Sequence, residues 1–322
     1  MHMQLASVFV MYRKTLVHVF LGLASSFAST ALFNSARAAS MINVELPYDK
    51  YGKESNIGGR CGATSMINSF VYLNNISPNL YASTNLLTGA GIDQNNDGSV
   101  DLKDSIIELD NLMGGAGCGT TDQGTWEGKL DWFDKYAPNT TTFAGMIDLD
   151  FSGWDGSQYL KRGNPTIDFL LAELRAGEDI EIGLTFAEGD GHWVTLTSMH
   201  IDDLNMNGIW DYDLSETASI DYIDPNCPLG TDANNPGPSL VPLSVVNGVL
   251  EFGWVNGNGT VCDTNSQPLQ AQITVAYSES PVQVPAPFPL LGVPITFFWA
   301  RRLRCRISRT VLSEPRPSLV KL

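Results

Sequence analysis

Histidine is scarce. Four occur in 322 residues, and two of them, His2 and His18, fall in an N-terminal stretch of leader type, so only His192 and His200 remain to serve as a base. Cysteine is nearly as rare, five in all with no Cys-x-x-Cys pair, and two histidines with no such pair argue against a zinc site. Positive charge is in short supply, at 19 Lys and Arg against 35 Asp and Glu. Between Ala39 and Pro285 the balance sharpens to 9 against 34, a net charge of −25, which excludes a nucleic-acid partner held through its phosphates. No glycine-rich run has the preceding strand and following Lys-Ser/Thr of a phosphate cradle, and GGAGCG at 114–119 reads as a loop. Long apolar runs are confined to the two ends.

At the first end, Arg13 and Lys14 precede an apolar run from Leu16 to Phe33, followed by the small-x-small site Ala36-Arg37-Ala38. This pattern is that of a secretory signal peptide over residues 1–38. The run's Ser, Thr and His content favours cleavage over a membrane anchor. At the other end, residues 284–309 read VPAPFPLLGVPITFFWARRLRCRISR: a Pro-rich lead, a 13-residue apolar part from Phe288 to Ala300, then arginines. Spanning a bilayer takes ~20 apolar residues, so this part is too short to cross unaided. The segment resembles the PEP-CTERM class of sorting signals in its VPAPxPLLG form. That resemblance implies export to the Gram-negative cell envelope or beyond, exosortase-type sorting machinery as a partner, and transient membrane association through the C-terminal segment. A plain tail anchor is the alternative. Residues 310–322 form a tail, and 39–283 are left as one globular domain.

Within that domain the stretch GGRCGATSMINSFVYL, 58–73, places Cys61 after a glycine turn and ahead of apolar residues at helical spacing. A cysteine at a helix N-terminus meets unpaired amides and the positive end of the peptide dipoles, which favour the thiolate and a developing oxyanion. A buried cysteine acting as a small hydrophobe is the competing reading. His192 opens GHWVTLTSM, a strand pattern entered from a polar turn, whereas His200 sits at its far end as a rim residue. SIDYIDP, 219–225, is a short alternating strand ending in Asp224, which is positioned to accept the Nδ1 hydrogen of His192.

Cys, Gly-His with a strand, then strand with Asp-Pro resembles the papain-like cysteine peptidases of the bacteriocin-leader-processing type, over roughly residues 50 to 230. The separation of Cys61 from His192 falls in the roughly 130–150 residues quoted for papain-like chains. The resemblance implies Cys61 as nucleophile, His192 as general base and acid, Asp224 as the orienting residue, and a peptide or protein substrate. That family's oxyanion glutamine falls at Ser55 here, and Asn56 beside it is the candidate amide donor.

The acids cluster. DQNNDGSVDLKD, 93–104, sets Asp93, Asn95, Asp97, Asp101 and Asp104 at loop positions one, three, five, nine and twelve, with Gly98 at six and the Ser99 carbonyl at seven. It resembles the calcium loops of EF-hands and dockerins and is followed by a helical pattern, which implies Ca2+ as the cofactor. A second loop, DLNMNGIWDYD, has Asp203, Asn205, Asn207, Gly208 and Asp211 in the same register. Its twelfth position is Leu214, so closure needs Asp213 or Glu216, and an Asn-Gly hairpin turn is the equal alternative.

Helices precede strands along the chain, which predicts an α+β domain of papain-like fold: a helical half carrying the Cys helix, then an antiparallel β half carrying His192 and Asp224. Cys227 with Cys262 is the expected disulfide. Three functions fit: an exported, calcium-stabilised cysteine peptidase; a catalytically inactive calcium-binding envelope or matrix protein; and an acyl or isopeptide transferase.

Overall fold

The computed structural model describes residues 40–115, 119–148, 159–211, 215–228, 240–255 and 268–282. The expected leader, sorting signal and tail lie outside the described residues, as do Cys118 and Cys262. The chain opens with a strand, β1 (Ser40–Glu45), followed by four helices: α1 (Cys61–Ile76), α2 (Pro78–Tyr81), α3 (Leu102–Leu112) and α4 (Asp122–Tyr136). Strands β2 (Thr141–Ile147) and β3 (Leu160–Arg162) come next, then α5 (Ile167–Arg175). The chain continues through β4 (Asp179–Phe186), β5 (Gly191–Asp203), β6 (Ala218–Ile223), β7 (Val241–Val246), β8 (Val249–Trp254) and β9 (Leu269–Pro281).

Local chemistry fixes the ends of these elements. Gly58 and Gly59 both take positive φ (59° and 80°), a turn that side chains resist, and this turn delivers the chain into α1. Asp101 and Asp104 form a capping box that starts α3, and the Thr121 and Thr166 hydroxyls cap α4 and α5.

Strands β4 to β9 run as antiparallel neighbours. Because β4 pairs with both β5 (Ile180 opposite Leu196) and β9 (Ile182 opposite Ala276), the sheet closes on itself as a barrel. β1 lies along the far half of β5, and β2 along the far half of β9. Strand alternation gives the wall two apolar faces. Ile180, Ile182, Leu184, Val194, Leu196, Ile220, Phe252 and Ile273 pack with α5 in one cluster. Trp193, Val275 and Tyr277 join α1, α3 and α4 in the other, around Phe70, Trp126, Trp132 and Phe133.

The expected papain-like order, a helical half followed by a β half, is therefore corrected. The architecture is a closed antiparallel barrel in which, among the described residues, strand outweighs helix, 34% against 28%, with a strand ahead of the first helix and α5 among the strands. Closure depends on β4 meeting a strand some ninety residues later, which period-two alternation cannot announce.

Candidate active site and acidic loops

Cys61 is the first residue of α1, half-buried and not disulfide-bonded. No side chain caps this helix, and the Gly62 amide of its first turn faces the sulfur. Arg60, at the N-cap, is held three ways. Its Nη1 donates to the Ile57 carbonyl (3.0 Å), its Nε lies 3.2 Å from the buried Asp110 carboxylate on α3, and its own carbonyl accepts from the Thr64 amide and hydroxyl (2.9 and 2.8 Å). The first turn of α1 also presses close on β5. A methyl group at Gly62 would come within 3.2 Å of Thr120 Oγ1 and 3.4 Å of the Trp193 indole. One turn on, the Ser65 and Thr195 hydroxyls meet at 2.8 Å, and Thr195 also bonds the Ser65 carbonyl at 3.1 Å. These contacts fix the Cys61 helix on the strand that begins at His192.

His192 is buried at the mouth of β5, opposite Leu184 of β4. Its Nε2 lies 2.7 Å from Asp224 Oδ1, so the nitrogen that meets Asp224 is Nε2 and not the expected Nδ1. That leaves Nδ1 for the hydrogen bond with Cys61. Asp224 is itself buried and accepts two further hydrogen bonds, from the Asn226 amide to Oδ1 and from the Trp254 indole to Oδ2, each at 2.7 Å. The Trp254 ring stands 5.0 Å from the imidazole and covers the His192–Asp224 bond.

Burial opposes charge on both partners of the Cys61–His192 pair, yet each is pulled toward its charged form. For Cys61, the hydrogen bond and charge of His192 and the amides of Trp193 and Gly62 outweigh burial and hold the thiol below its usual 9.0. For His192, the charge and hydrogen bond of Asp224, with those of Cys61, overcome burial and raise the imidazole from 6.5 to about 10. Each partner favours the charged form of the other, so their titrations belong to the pair and not to either residue. The pH dependence of Cys61 alkylation should therefore begin its rise below pH 9. Its upper change should fall near pH 10, and a single step at the ordinary thiol value would contradict this. The folded pKa of His192 lies above its unfolded value. Its contribution to stability is thus whole below about pH 6.5 and is lost as pH rises through about 10.

Asn56 sits with this group but faces the Asp224 turn. Its backbone amide donates to the Pro225 carbonyl (2.7 Å), its Nδ2 donates to Asn226 Oδ1 (2.9 Å), and its Oδ1 is buried without a partner. It therefore tethers the segment before Cys61 to the turn that carries Asp224. His200 lies at the other end of β5, 3.6 Å from Asp221, and takes no part. Cys227, three residues after Asp224 and bridged to it in the backbone, is disulfide-bonded; its expected partner Cys262 lies outside the described residues.

The two acidic loops share one backbone design. Position four has positive φ in each (Asn96 and Met206, both 59°), and so does the glycine at position six (Gly98 92°, Gly208 77°). Position-one carboxylates accept from the amides of positions five and six: Asp93 from Asp97 and Gly98, and Asp203 from Asn207 and Gly208. Asp104 accepts from Gln94 and Asp101, closing the first loop (2.7 and 2.8 Å). In the second loop Glu216 does the same for Leu204 and Asp211 (2.9 and 2.6 Å), and so supplies the closing carboxylate that Leu214 cannot. Asn205 and Asn207 both donate to Asp211, and the Ser99 amide and hydroxyl hold Asp97 below the usual carboxylate range. An all-oxygen donor set around an αL turn fits calcium. Among the described residues, no three carboxylates of either loop lie within 4.8 Å of one another, so binding would draw them inward.

Trp254, Asn226 and the Arg60–Asp110 pair complete the site and carry no sequence signal of their own. Nothing in VLEFGW marks the final tryptophan as a donor to a carboxylate thirty residues earlier. No family model matches this chain, and no curated protein matches it.

Proposed function

We propose that this protein is a cysteine peptidase, a thiol hydrolase of peptide bonds. The observation that carries the reading is the linear array Cys61–His192–Asp224, with the sulfur at an uncapped helix N-terminus and a 2.7 Å bond behind the imidazole. The Cys61 thiolate adds to a peptide carbonyl carbon, and the oxygen that becomes negative faces the leading amides of α1. His192 then gives its proton to the departing amine, leaving an acyl-enzyme. In the second half His192 takes a proton from water as the water attacks the thioester, and the carboxylic acid leaves with the thiolate restored. Asp224 stays ionised throughout and steadies the imidazolium. The test is covalent labelling by a thiol-directed acyl electrophile: one adduct on Cys61, lost in Cys61→Ala and slowed in His192→Ala, would support the reading. Labelling that is indifferent to His192 would reject it.

A second reading, a catalytically inactive calcium binder, is favoured by one observation: an Asn56 side-chain hydrogen is already given to Asn226, which weakens it as an oxyanion donor. Stable labelling at Cys61 without turnover of any peptide library would select it.

Both readings include calcium in the loops 93–104 and 203–211, held by Asp93, Asn95, Asp97, the Ser99 carbonyl, Asp101 and Asp104, and by Asp203, Asn205, Asn207, Asp211 and Glu216. The ion's part is structural, stiffening the entry to α3 and the turn between β5 and β6. Calcium at a hundredfold excess over Kd should stabilise the fold by about 2.7 kcal/mol per site. Thermal unfolding should rise with added calcium, fall with a chelator, and lose most of that response in Asp93→Ala/Asp203→Ala. An unchanged response in that variant would remove the loops from the account. Export through the two terminal signals belongs to the same proposal, and the disulfide at Cys227 is consistent with an oxidising compartment.

A further inference from the structure

Strand β4 begins Asp179-Ile180-Glu181-Ile182, and alternation turns the two acids away from the isoleucines and toward the helices. Asp179 stands directly opposite Glu279 of β9 in the ladder, a like-charge pairing that sheets avoid. All three carboxylates are fully buried, and each offers an oxygen within 4.8 Å of the other two. Helix α4 brings one cation to them, the equally buried Lys129, whose ammonium donates to Glu181 Oε2 (2.5 Å) and to Glu279 Oε1. One lysine stands against three carboxylates, and burial with the neighbouring Glu181 charge favours the neutral form of Asp179 while the site holds no further cation.

The oxygens divide in a telling way. Those facing Lys129 are bonded, whereas both oxygens of Asp179, Oε1 of Glu181 and Oε2 of Glu279 are buried with no hydrogen-bond partner. One hydroxyl from another element, that of Ser69 on α1, lies near Asp179 without a full hydrogen bond. Buried carboxylate oxygens without a hydrogen bond, gathered within 4.8 Å of one another, suit a hard divalent ion.

We propose that Asp179, Glu181 and Glu279 hold a buried calcium-class cation between the barrel wall and the helical layer, with the Ser69 hydroxyl beside it and Lys129 as a fixed second counter-charge. A divalent ion brings the cluster to neutrality, and six to eight oxygens at roughly 2.3–2.6 Å are what calcium takes. The site is separate from the two loops and does not depend on the peptidase reading.

The test uses the full exported chain carrying Asp93→Ala/Asp203→Ala, so that the loops are disabled. After exhaustive dialysis, elemental analysis should find one calcium per chain, falling to none when Glu279→Gln is added. Crystals of the unaltered protein soaked in Mn2+ should give an anomalous peak among Asp179, Glu181 and Glu279, a measurement that does not require any variant to fold. Metal-free protein with no anomalous peak there would overturn the proposal. So would a calcium count indifferent to Glu279→Gln.

Discussion

Cys61→Ala should reduce peptide turnover on the order of 10^6-fold, the scale at which loss of a covalent nucleophile leaves only the binding groups at work. The fold should survive this change. Cys61 is half-buried, unbridged, and at a helix start where Ala is well accommodated, so thermal unfolding should barely move. His192→Ala should fall nearly as far, because without the imidazolium the sulfur returns to an ordinary thiol and the leaving amine has no proton source. The two losses should not add: the double variant should be no worse than Cys61→Ala alone, as expected of groups that act as one unit. Measuring kcat/KM for the three variants checks this. A His192→Ala enzyme within tenfold of the parent would show that the two side chains do not work together.

Asp224→Asn should cost about 10^2- to 10^3-fold, for a reason particular to this site. The carboxylate accepts on both oxygens, from His192 and Asn226 on one and from the Trp254 indole on the other. An amide has one oxygen. If it faces His192, its NH2 is set against the indole N–H, two donors pointed at each other in a buried place, at a cost of about 1–3 kcal/mol. Removing the negative charge also withdraws the main support for the imidazolium, so the alkaline limb should move down from about 10 toward the ordinary histidine value of 6.5. Adding Trp254→Phe to Asp224→Asn removes the clashing donor and should recover about tenfold in kcat/KM, although Trp254→Phe alone should lower it. That reversal of sign is the signature of two groups in direct contact. Simple additivity of the two losses would mean that the indole only covers the bond and does not share the carboxylate.

The elements that carry the site were legible because each is locally written. Cys61 follows a glycine turn and precedes a helical stripe, His192 and Asp224 sit at strand ends, and the loop 93–104 repeats oxygen donors around a glycine. What joins them was not legible. Barrel closure rests on β4 meeting β9, and the papain-like division into a helical half and a β half failed because sequence order was taken for spatial order. Helix α4 escaped notice because its buried stripe, Trp126, Lys129, Trp132, Phe133 and Tyr136, contains a lysine where an apolar residue would be looked for. That lysine answers acids fifty and more residues away. The second loop's closure was open in the sequence between Asp213 and Glu216, and only the register of β6 brings Glu216 back to Leu204 and Asp211.

The most direct test is the ionisation of one sulfur. Thiolate ultraviolet absorbance, followed against pH in the parent and in His192→Ala with Cys61→Ala as the blank, reads the charge on Cys61 alone. The thiolate should appear at lower pH in the parent than in His192→Ala, where the sulfur should titrate as an ordinary thiol. Identical titrations near 9 in both proteins would contradict it.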